Sequence, residues 1–412
     1  MSSSASAPVE ATGRARSASL ERLVARNYRN FDELRLELPE AGAMIVGPNG
    51  SGKTNLLEAV YYLEIFRSFR GARDTDLVRF GEDVFRIEGG VRRGEEQVGL
   101  AAAYRKTGRR KKVEVDGRET DRIGDALGTL GAVVFSLEDA DLVCGSPSRR
   151  RRFLDILLSR VRPGYLASLQ RYRAVSAPRN EALPHGHDEK VGAWSEGLLE
   201  PGANVMAERE DWIASRAGDF RGYHAEIAGG APGELAYEPA LGPQSDAAGP
   251  GRPTALVAES NAKYGSSGSV GEWMERLSRA MHDNAERDRK RGATQAGPHR
   301  DDLGIRAVVD DGSEERDLRI YGSGGQQRTA AIALRLAEAD TLRERLGRDP
   351  IYLLDDVFAE LDAERASRVL ILLEEGRSGQ VLLTAPKPVD VPLRGGNLAQ
   401  WRIREGVVFT DG

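Results

Sequence analysis

The sequence predicts an α/β head assembled from both ends of the chain, with a mainly α-helical segment inserted between them. Three observations predict it. The short apolar run Ala43 to Val46 leads straight into the Gly-rich loop Gly47-Pro48-Asn49-Gly50-Ser51-Gly52-Lys53-Thr54, and a helical pattern follows. Far downstream, Ser323-Gly324-Gly325-Gln326-Gln327-Arg328 opens a second helix, and the buried strand Ile351-Tyr352-Leu353-Leu354 ends on Asp355-Asp356. Between these two halves of one site the chain reads as helix after helix.

The elements follow in order. Residues 1–18 are rich in Ser and Ala and lack an apolar h-region, so they read as a disordered leader and not a signal peptide. Residues 19–150 form the first part of the head. Leu23 to Leu38 reads as two short strands around a turn at Asn27-Tyr28-Arg29-Asn30. Leu56, Leu57, Val60 and Leu63 share one side of the helix after the loop, and Val84 to Val115 alternates with Gly-bearing turns, as antiparallel strands do. Near Pro147 the character changes. Phe153, Leu154, Leu157 and Leu158 begin a helical stretch, Leu166 to Tyr172 another, and Trp194 to Ile213 a third. Pro178 is expected to end or kink its helix. Gly229 to Gly271 reads as loops with short strands, and Trp273, Leu277 and Met281 repeat at helical spacing as a core stripe. Residues 151–289 therefore form a helical arm, with no heptad pattern that would make it a long coiled coil. In the returning head, residues 290–412, Ile332, Leu336 and Ala339 line a helix, and Gln380 to Thr384 is the neighbour of the strand that ends at Asp355.

At 412 residues the chain holds two domains, and 40% hydrophobic against 30% charged residues fits a water-soluble core. No apolar run approaches the roughly 18 residues of a membrane span, so no membrane partner is expected. A lone cysteine, Cys144, excludes an internal disulfide, fits a reducing cytoplasm and reads as a small buried apolar residue. A net charge of −5 makes the molecule no general magnet for nucleic acid. Its charge is patchy, however: Arg109-Arg110-Lys111-Lys112, Arg149-Arg150-Arg151-Arg152 and the mixed run Arg287 to Arg291 read either as solvated faces or as phosphate contacts.

The first loop fits G-x-x-x-x-G-K-[ST] between a buried strand and a helix. Its backbone N–H groups and the helix N-terminus cradle phosphates. The nucleotide-binding set is Gly47, Pro48, Asn49, Gly50, Ser51, Gly52, Lys53, Thr54 and Asn55, with Lys53 reaching the β- and γ-phosphates of ATP and Thr54 ligating Mg²⁺. Asp355 is the second Mg²⁺ ligand, and Asp356 orients or deprotonates the attacking water. Asp356 is shorter than the Glu common at that position, so slow hydrolysis is expected. Ser323, Gly324, Gly325 and Gln326 cannot easily serve a nucleotide already cradled by the loop of their own chain. In ATP-binding-cassette heads such a motif reaches the nucleotide of a second subunit. His185 and His187 lack the further ligands a metal site needs. His299 pairs with Asp301 or Asp302, or else meets nucleotide or DNA.

These segments together resemble the RecF family. Gly47 to Ala59, Ser68-Phe69-Arg70, Phe135 to Asp139, Gly145-Ser146-Pro147, Arg150 to Asp155, Gly297 to Leu303 and Leu354 to Asp362 match its motifs in order from Leu23 to Thr384. The resemblance implies an ABC-type P-loop ATPase head, with Asp362 in its D-loop. It also implies an ATP-driven homodimer that closes on double-stranded, gapped or junction DNA in recombinational gap repair, with weak DNA-dependent ATPase activity. RecR, RecO and the RecA pathway are the implied partners, acting where recombinase is loaded on SSB-coated single strands. Arg149 to Arg152 are the candidate DNA contacts. The chain departs from the family at Gly324, where a glutamine is usual, and at Pro178, just before Arg179-Asn180. Thr384 stands where transporter ATPases carry a switch histidine. The rival readings are a DNA-tethering ATPase, a transporter ATPase subunit and a P-loop kinase. They lack, respectively, the expected heptads, the switch histidine and a use for the second Gly-rich motif.

Overall fold

The computed structural model describes residues 18–185, 188–242, 268–308, 315–374, 379–388 and 398–410. The expected leader, apart from Ala18, lies outside them, as do His187 and residues 243–267. Strands β1 (Ala18–Tyr28) and β2 (Phe31–Glu37) form a hairpin in which Tyr28 faces Phe31. β3 (Gly42–Val46) is buried at every residue and leads through the Gly-rich loop into α1 (Lys53–Ile65). After α2 (Asp74–Leu77), β4 (Val84–Arg93), β5 (Glu96–Arg105), β6 (Arg110–Val115) and β7 (Arg118–Glu119) meander, and β8 (Ala132–Ser136) follows.

Next come α3 (Ala140–Cys144), α4 (Pro147–Val161), α5 (Tyr165–Ala182), α6 (Asp188–Ala228), β9 (Gly233–Glu238), α7 (Val270–Asp283) and α8 (Ala285–Arg291). The chain then returns through β10 (Asp302–Val308), β11 (Glu315–Asp317), α9 (Leu318–Tyr321) and α10 (Gly324–Leu346). It ends with β12 (Ile351–Asp355), α11 (Ala363–Glu374), β13 (Val381–Ala385), β14 (Ala399–Arg404) and β15 (Val407–Thr410).

Three sheets result. The antiparallel one runs β2-β1-β4-β5-β6-β7, and a small one runs β11-β10-β9. The central sheet runs β15-β14-β3-β13-β12-β8, parallel except for β15. β3 from one chain end lies between β13 and β14 from the other, as the split motifs require. A parallel sheet is covered on both faces, and β3, β8, β12 and β13 are almost wholly buried for that reason, while β14 alternates at the edge next to β15. Ile351 and Leu353 of β12 enter the core under the antiparallel sheet, while Tyr352 and Leu354 enter the core shared with the helices.

The insert is fused to the head at its base. Phe153, Leu157 and Trp212 share one apolar cluster with Ala330, Leu334 and Leu354. Trp212 Nε1 donates to Thr341 Oγ1 of α10 at 3.0 Å, and Tyr223 and Arg216 of α6 bond Asp340 and Glu344. A buried ion cluster ties the two nucleotide-site helices together. Arg160 of α4 lies between Glu64 of α1 (3.1 Å) and Glu338 of α10, and Arg335 bridges Glu338 (2.7 Å) and Asp139 (2.6 Å). Burial raises Glu64 and Asp139 above the usual carboxylate range, and the neighbouring guanidinium groups oppose that rise. Removing one member leaves a buried charge uncompensated, so the cluster fixes the register of α1, α4 and α10.

Of the expectation that Pro178 ends or kinks its helix, the ending is corrected: α5 continues to Ala182. Proline deprives the Ala174 carbonyl of its helical donor, but the residues that follow are anchored. Arg179 is buried and bonds Asp288 (2.9 Å), Thr294 (2.6 Å) and Ser195 (2.8 Å), while Asn180 Oδ1 accepts from Thr294 N at 2.9 Å. Cys144 is also corrected. It ends the five-residue α3 and is exposed, with its thiol turned to Asp141.

Candidate nucleotide site

The loop from β3 to α1 needs its glycines for two separate reasons, and Gly50 (φ +79°) shares the first of them. Gly52 has φ +113°, in the left-handed region that glycine tolerates. At Gly47 an added Cβ would sit 2.4 Å from the Ile403 carbonyl oxygen of β14, so the backbone approach leaves no room for it. Lys53 is 4% exposed, and its Nζ donates to the Gly47 carbonyl at 2.8 Å and the Pro48 carbonyl at 3.4 Å. Ser51 Oγ is buried and has no hydrogen-bond partner. An ammonium held across the loop's own carbonyls and an orphaned hydroxyl both suit a phosphate cradle.

The acidic strand end meets this loop. Thr54 Oγ1 donates to Asp355 Oδ1 at 3.0 Å, and Thr384 Oγ1 donates to the same oxygen at 2.9 Å. The Thr384 hydroxyl also accepts from Asp356 N at 3.0 Å. Thr384 therefore organises both acids, a role its place at the end of β13 gives it. Burial pushes the Asp355 carboxyl up to about 6; the threonine hydrogen bonds lower it and the charge of Asp356 raises it further. Asp356 is half-buried at φ +50°, a left-handed conformation that Asp adopts more readily than most residues.

No cluster of three or more His, Cys, Asp or Glu residues able to hold a metal occurs among the described residues. A Mg²⁺ ion at this point would meet two protein oxygens, Thr54 Oγ1 and Asp355 Oδ1. Phosphate and water must supply the rest, which is the usual way this cation is held. The donor set fits nucleotide-borne Mg²⁺ and does not form an all-protein cage.

The β1–β2 turn braces the loop from the side, a function not legible from the turn pattern. Asn30 Nδ2 donates to the Ser51 carbonyl at 3.2 Å, and Asn55 Nδ2 donates to Asn30 Oδ1 at 2.7 Å. Arg29 makes a two-pronged bond to fully buried Glu58 of α1 (2.7 and 2.9 Å), and Ser68 Oγ donates to the same carboxylate at 2.5 Å. Ser68-Phe69-Arg70 is thereby tied to α1, and Arg70 Nη1 reaches Asn55 Oδ1 at 3.4 Å.

The second Gly-rich motif lies apart. Among the described residues no hydrogen bond or ion pair joins Ser323–Gln326 to the first loop. Ser323 caps α10: its Oγ accepts from Gln326 N at 3.3 Å, and Gln326 Oε1 accepts from Ser323 N at 2.8 Å. A Cβ on Gly324 meets open space, so nothing in the fold forbids the larger residue usual in the family. Gly325 is overlain by Arg365, whose Nη1 lies 2.4 Å from an added Cβ. Arg365 also pairs with Asp362 at 3.3 Å, and Asp362 Oδ1 caps α11 by accepting from Arg365 N at 2.9 Å. Ser323, Gln326 and Asp362 thus lie on linked surface segments, and Ser323 and Asp362 are turned to solvent.

The four arginines Arg149 to Arg152 separate. Arg149 is exposed and pairs with Asp141 at 3.1 Å. Arg150 is 3% exposed, makes two bonds to Asp302 (2.7 and 2.8 Å) and donates to the Val143 and Gly145 carbonyls. Four of its five N–H donors are taken and it is buried, so it holds α4 against β10 and is not presented to a phosphate. Arg151 and Arg152 donate only to the backbone carbonyls of Asp301 (2.7 Å) and Ser68 (3.3 Å). Arg150→Ala leaves Asp302 unpaired, and an expected cost of about 3 kcal/mol follows. Urea unfolding checks it; a variant as stable as the parent means that Arg150 is not a structural clamp. His299 meets neither Asp301 nor Asp302: its Nδ1 lies 2.6 Å from Tyr172 Oη and its Nε2 2.9 Å from the Thr294 carbonyl. Desolvation lowers its pKa, although the ring keeps an exposed face.

A family model described as RecF/RecN/SMC N terminal domain matches residues 19–391. A protein of Halalkalibacterium halodurans named DNA replication and repair protein RecF is 35% identical over 357 residues, 85% of this chain and 88% of its own length. One of the same name from Bacillus subtilis (strain 168) is 34% identical over 378 residues, 90% and 94% of the two chains. A solved structure described as the recombination mediator protein RecF-ATP in the RecFOR pathway superposes with a TM-score of 0.80 at 30% identity, covering 96% of this chain and 98% of that one. An SMC head bound to the C-terminal winged-helix domain of ScpA superposes with a TM-score of 0.52 at 16% identity and shares the fold alone. The ABC-type head with a helical insert, predicted from the sequence, is therefore the fold of this chain.

Proposed function

The chain belongs to the RecF family, and on that premise we propose that it is an ATP-driven DNA clamp of replication and gap repair. One observation carries the reading: each chain holds two incomplete halves of a site. Lys53, Ser51, Thr54 and Asp355 converge at the first loop, while Ser323 and Asp362 lie on a solvent-facing surface with no bond to that loop. Two copies placed face to face give each loop the signature it lacks.

In this reading Lys53 exchanges its bonds to the Gly47 and Pro48 carbonyls for the β- and γ-phosphates of ATP. Ser51 gains the partner it lacks. Thr54 and Asp355 would hold Mg²⁺, which would supply charge neutralisation at the phosphates. Ser323 of the second copy donates its hydroxyl to the γ-phosphate while its oxygen accepts from Gln326 N. Asp356 orients the attacking water, and its short side chain makes hydrolysis slow. DNA affinity becomes conditional on nucleotide because association doubles the cationic surface. Residues 19–150 and 290–412 act as the head and 151–289 as the arm. The substrate is double-stranded, gapped or junction DNA, and RecR, RecO and the RecA pathway are the partners where recombinase is loaded on SSB-coated strands. No helix among the described residues is long and apolar enough to cross a membrane; a cytoplasmic site of action fits the family.

Sedimentation with duplex and gapped DNA tests the proposal. ATP is expected to convert the protein to a dimer and to raise DNA affinity by at least about tenfold, or ~1.4 kcal/mol. A monomer that binds DNA equally well with and without ATP refutes the clamp.

A further inference from the structure

A cleft of about 1110 Å³ opens between the antiparallel sheet, the loop after α1 and the insert helices α4 and α5. Its charge is lopsided. Arg67, Arg109, Arg151 and Arg152 line it, and among the described residues none of the four has a carboxylate within ion-pair distance. Its two acids are already occupied. Asp74 pairs with Lys111 at 2.7 Å, and Asp155 pairs with Arg173 at 2.9 Å and Arg209 at 2.8 Å. Burial and like-charged neighbours lower the pKa values of Arg151 and Arg152, so their charged forms are held at a cost that an anion would relieve.

The walls say which anion. Four cations spread over three elements suit a chain of phosphates better than one small ion. Of the aromatic rings of the lining, Phe66, Tyr104 and Tyr172 are buried; the His299 imidazole is exposed but tied through both nitrogens to Tyr172 and the Thr294 carbonyl, so the cleft offers no run of rings on which successive bases could stack. Recognition here is therefore of backbone and not of sequence. A duplex, whose major groove alone is about 12 Å wide and 8.5 Å deep, is broader than a space equal to a cube about 10 Å on a side, whereas one strand is not.

We propose that this cleft seats the sugar-phosphate backbone of a single DNA strand, entering between the antiparallel sheet and the arm. The inference rests on the reading that the chain binds DNA, and adds where and in what form.

The test is fluorescence anisotropy of the full chain with ATP and labelled single-stranded, gapped and blunt duplex oligonucleotides, titrated from about 50 to 200 mM salt. The variant is Arg67→Gln/Arg109→Gln, both exposed positions, with circular dichroism as the check of folding. Each phosphate contact on a single strand contributes about 0.7 to the salt slope, so the double variant is expected to lose about 1.4, a roughly sevenfold smaller response over that range. This loss is expected on single-stranded and gapped DNA, with the blunt-duplex slope unchanged. Arg345→Gln, exposed and away from the cleft, is expected to leave every slope unchanged. The proposal is overturned if the single-strand slope is unchanged, if the blunt-duplex slope falls as much, or if Arg345→Gln has the same effect. If the parent protein binds no DNA at all, the clamp reading itself fails, and this seat with it.

Discussion

Mixing Lys53→Arg chains with Ser323→Arg chains is expected to restore an ATP-dependent dimer that neither variant forms alone. Lys53 Nζ is the charge at the first loop, and Ser323 Oγ the hydroxyl at the second motif. Hydrogen bonds to charged groups contribute about 1.5–3 kcal/mol each. A homodimer of either variant is damaged at both composite sites, a loss of about 3–6 kcal/mol, or roughly a hundredfold and more in Kd. The heterodimer differs: one site combines both lesions, and the other combines an intact loop with an intact signature. Because a site already broken by one lesion loses little more from a second, the heterodimer loses one site where a homodimer loses two, and its affinity is expected about midway on a logarithmic scale, with turnover from one site. Ser323→Arg also removes a helix cap, a cost of about 1 kcal/mol that leaves the fold in place. Gel filtration and ATPase assays of each variant and of the mixture decide the matter. If the mixture behaves as the sum of its parts, the two motifs do not serve one shared nucleotide.

The sequence carried much of the fold because its signals were local. The run Ala43 to Val46, the glycines of the loop and the acids after Leu354 are contiguous, and each implies its element directly. What stayed hidden depends on residues far apart in the chain. Thr384 reads as a missing histidine in the sequence, yet its hydroxyl organises both Asp355 and Asp356 from a neighbouring strand. Arg150 looks like one of four equivalent cations, but Asp302, 152 residues away, takes it out of solvent. Asn30 reads as a turn residue, although its amide braces the loop at Ser51. Pro178 shows the limit in the other direction. Its local penalty is real, and the anchoring of Arg179 and Asn180 overrides it.

Asp355→Asn is expected to stabilise the nucleotide-free protein while removing its turnover. The carboxylate is buried at the end of β12 beside a second acid, and the hydroxyls of Thr54 and Thr384 provide hydrogen bonds but no positive charge. Its pKa is raised to about 6 in the folded protein, against about 3.9 in an unfolded chain. The native state therefore holds this proton more tightly. Below pH ~4 both states are protonated, and the substitution changes little. As pH rises from about 4 to 6 the unfolded state loses its proton first, and the wild type pays up to roughly 3 kcal/mol for the buried charge. Asparagine keeps an acceptor oxygen for both threonines and carries no charge, so above pH 6 the variant should be more stable by an amount of that order. Urea unfolding at pH 4 and pH 8 measures the difference. The same change removes one of the two protein oxygens available to Mg²⁺, and ATP turnover should fall by about a hundredfold or more. A variant that is less stable at pH 8, or that hydrolyses ATP at the parental rate, would show that Asp355 is a structural residue. The opposed signs are the argument. A group that weakens the empty protein and is indispensable to the loaded one is there for the cation that offsets its charge.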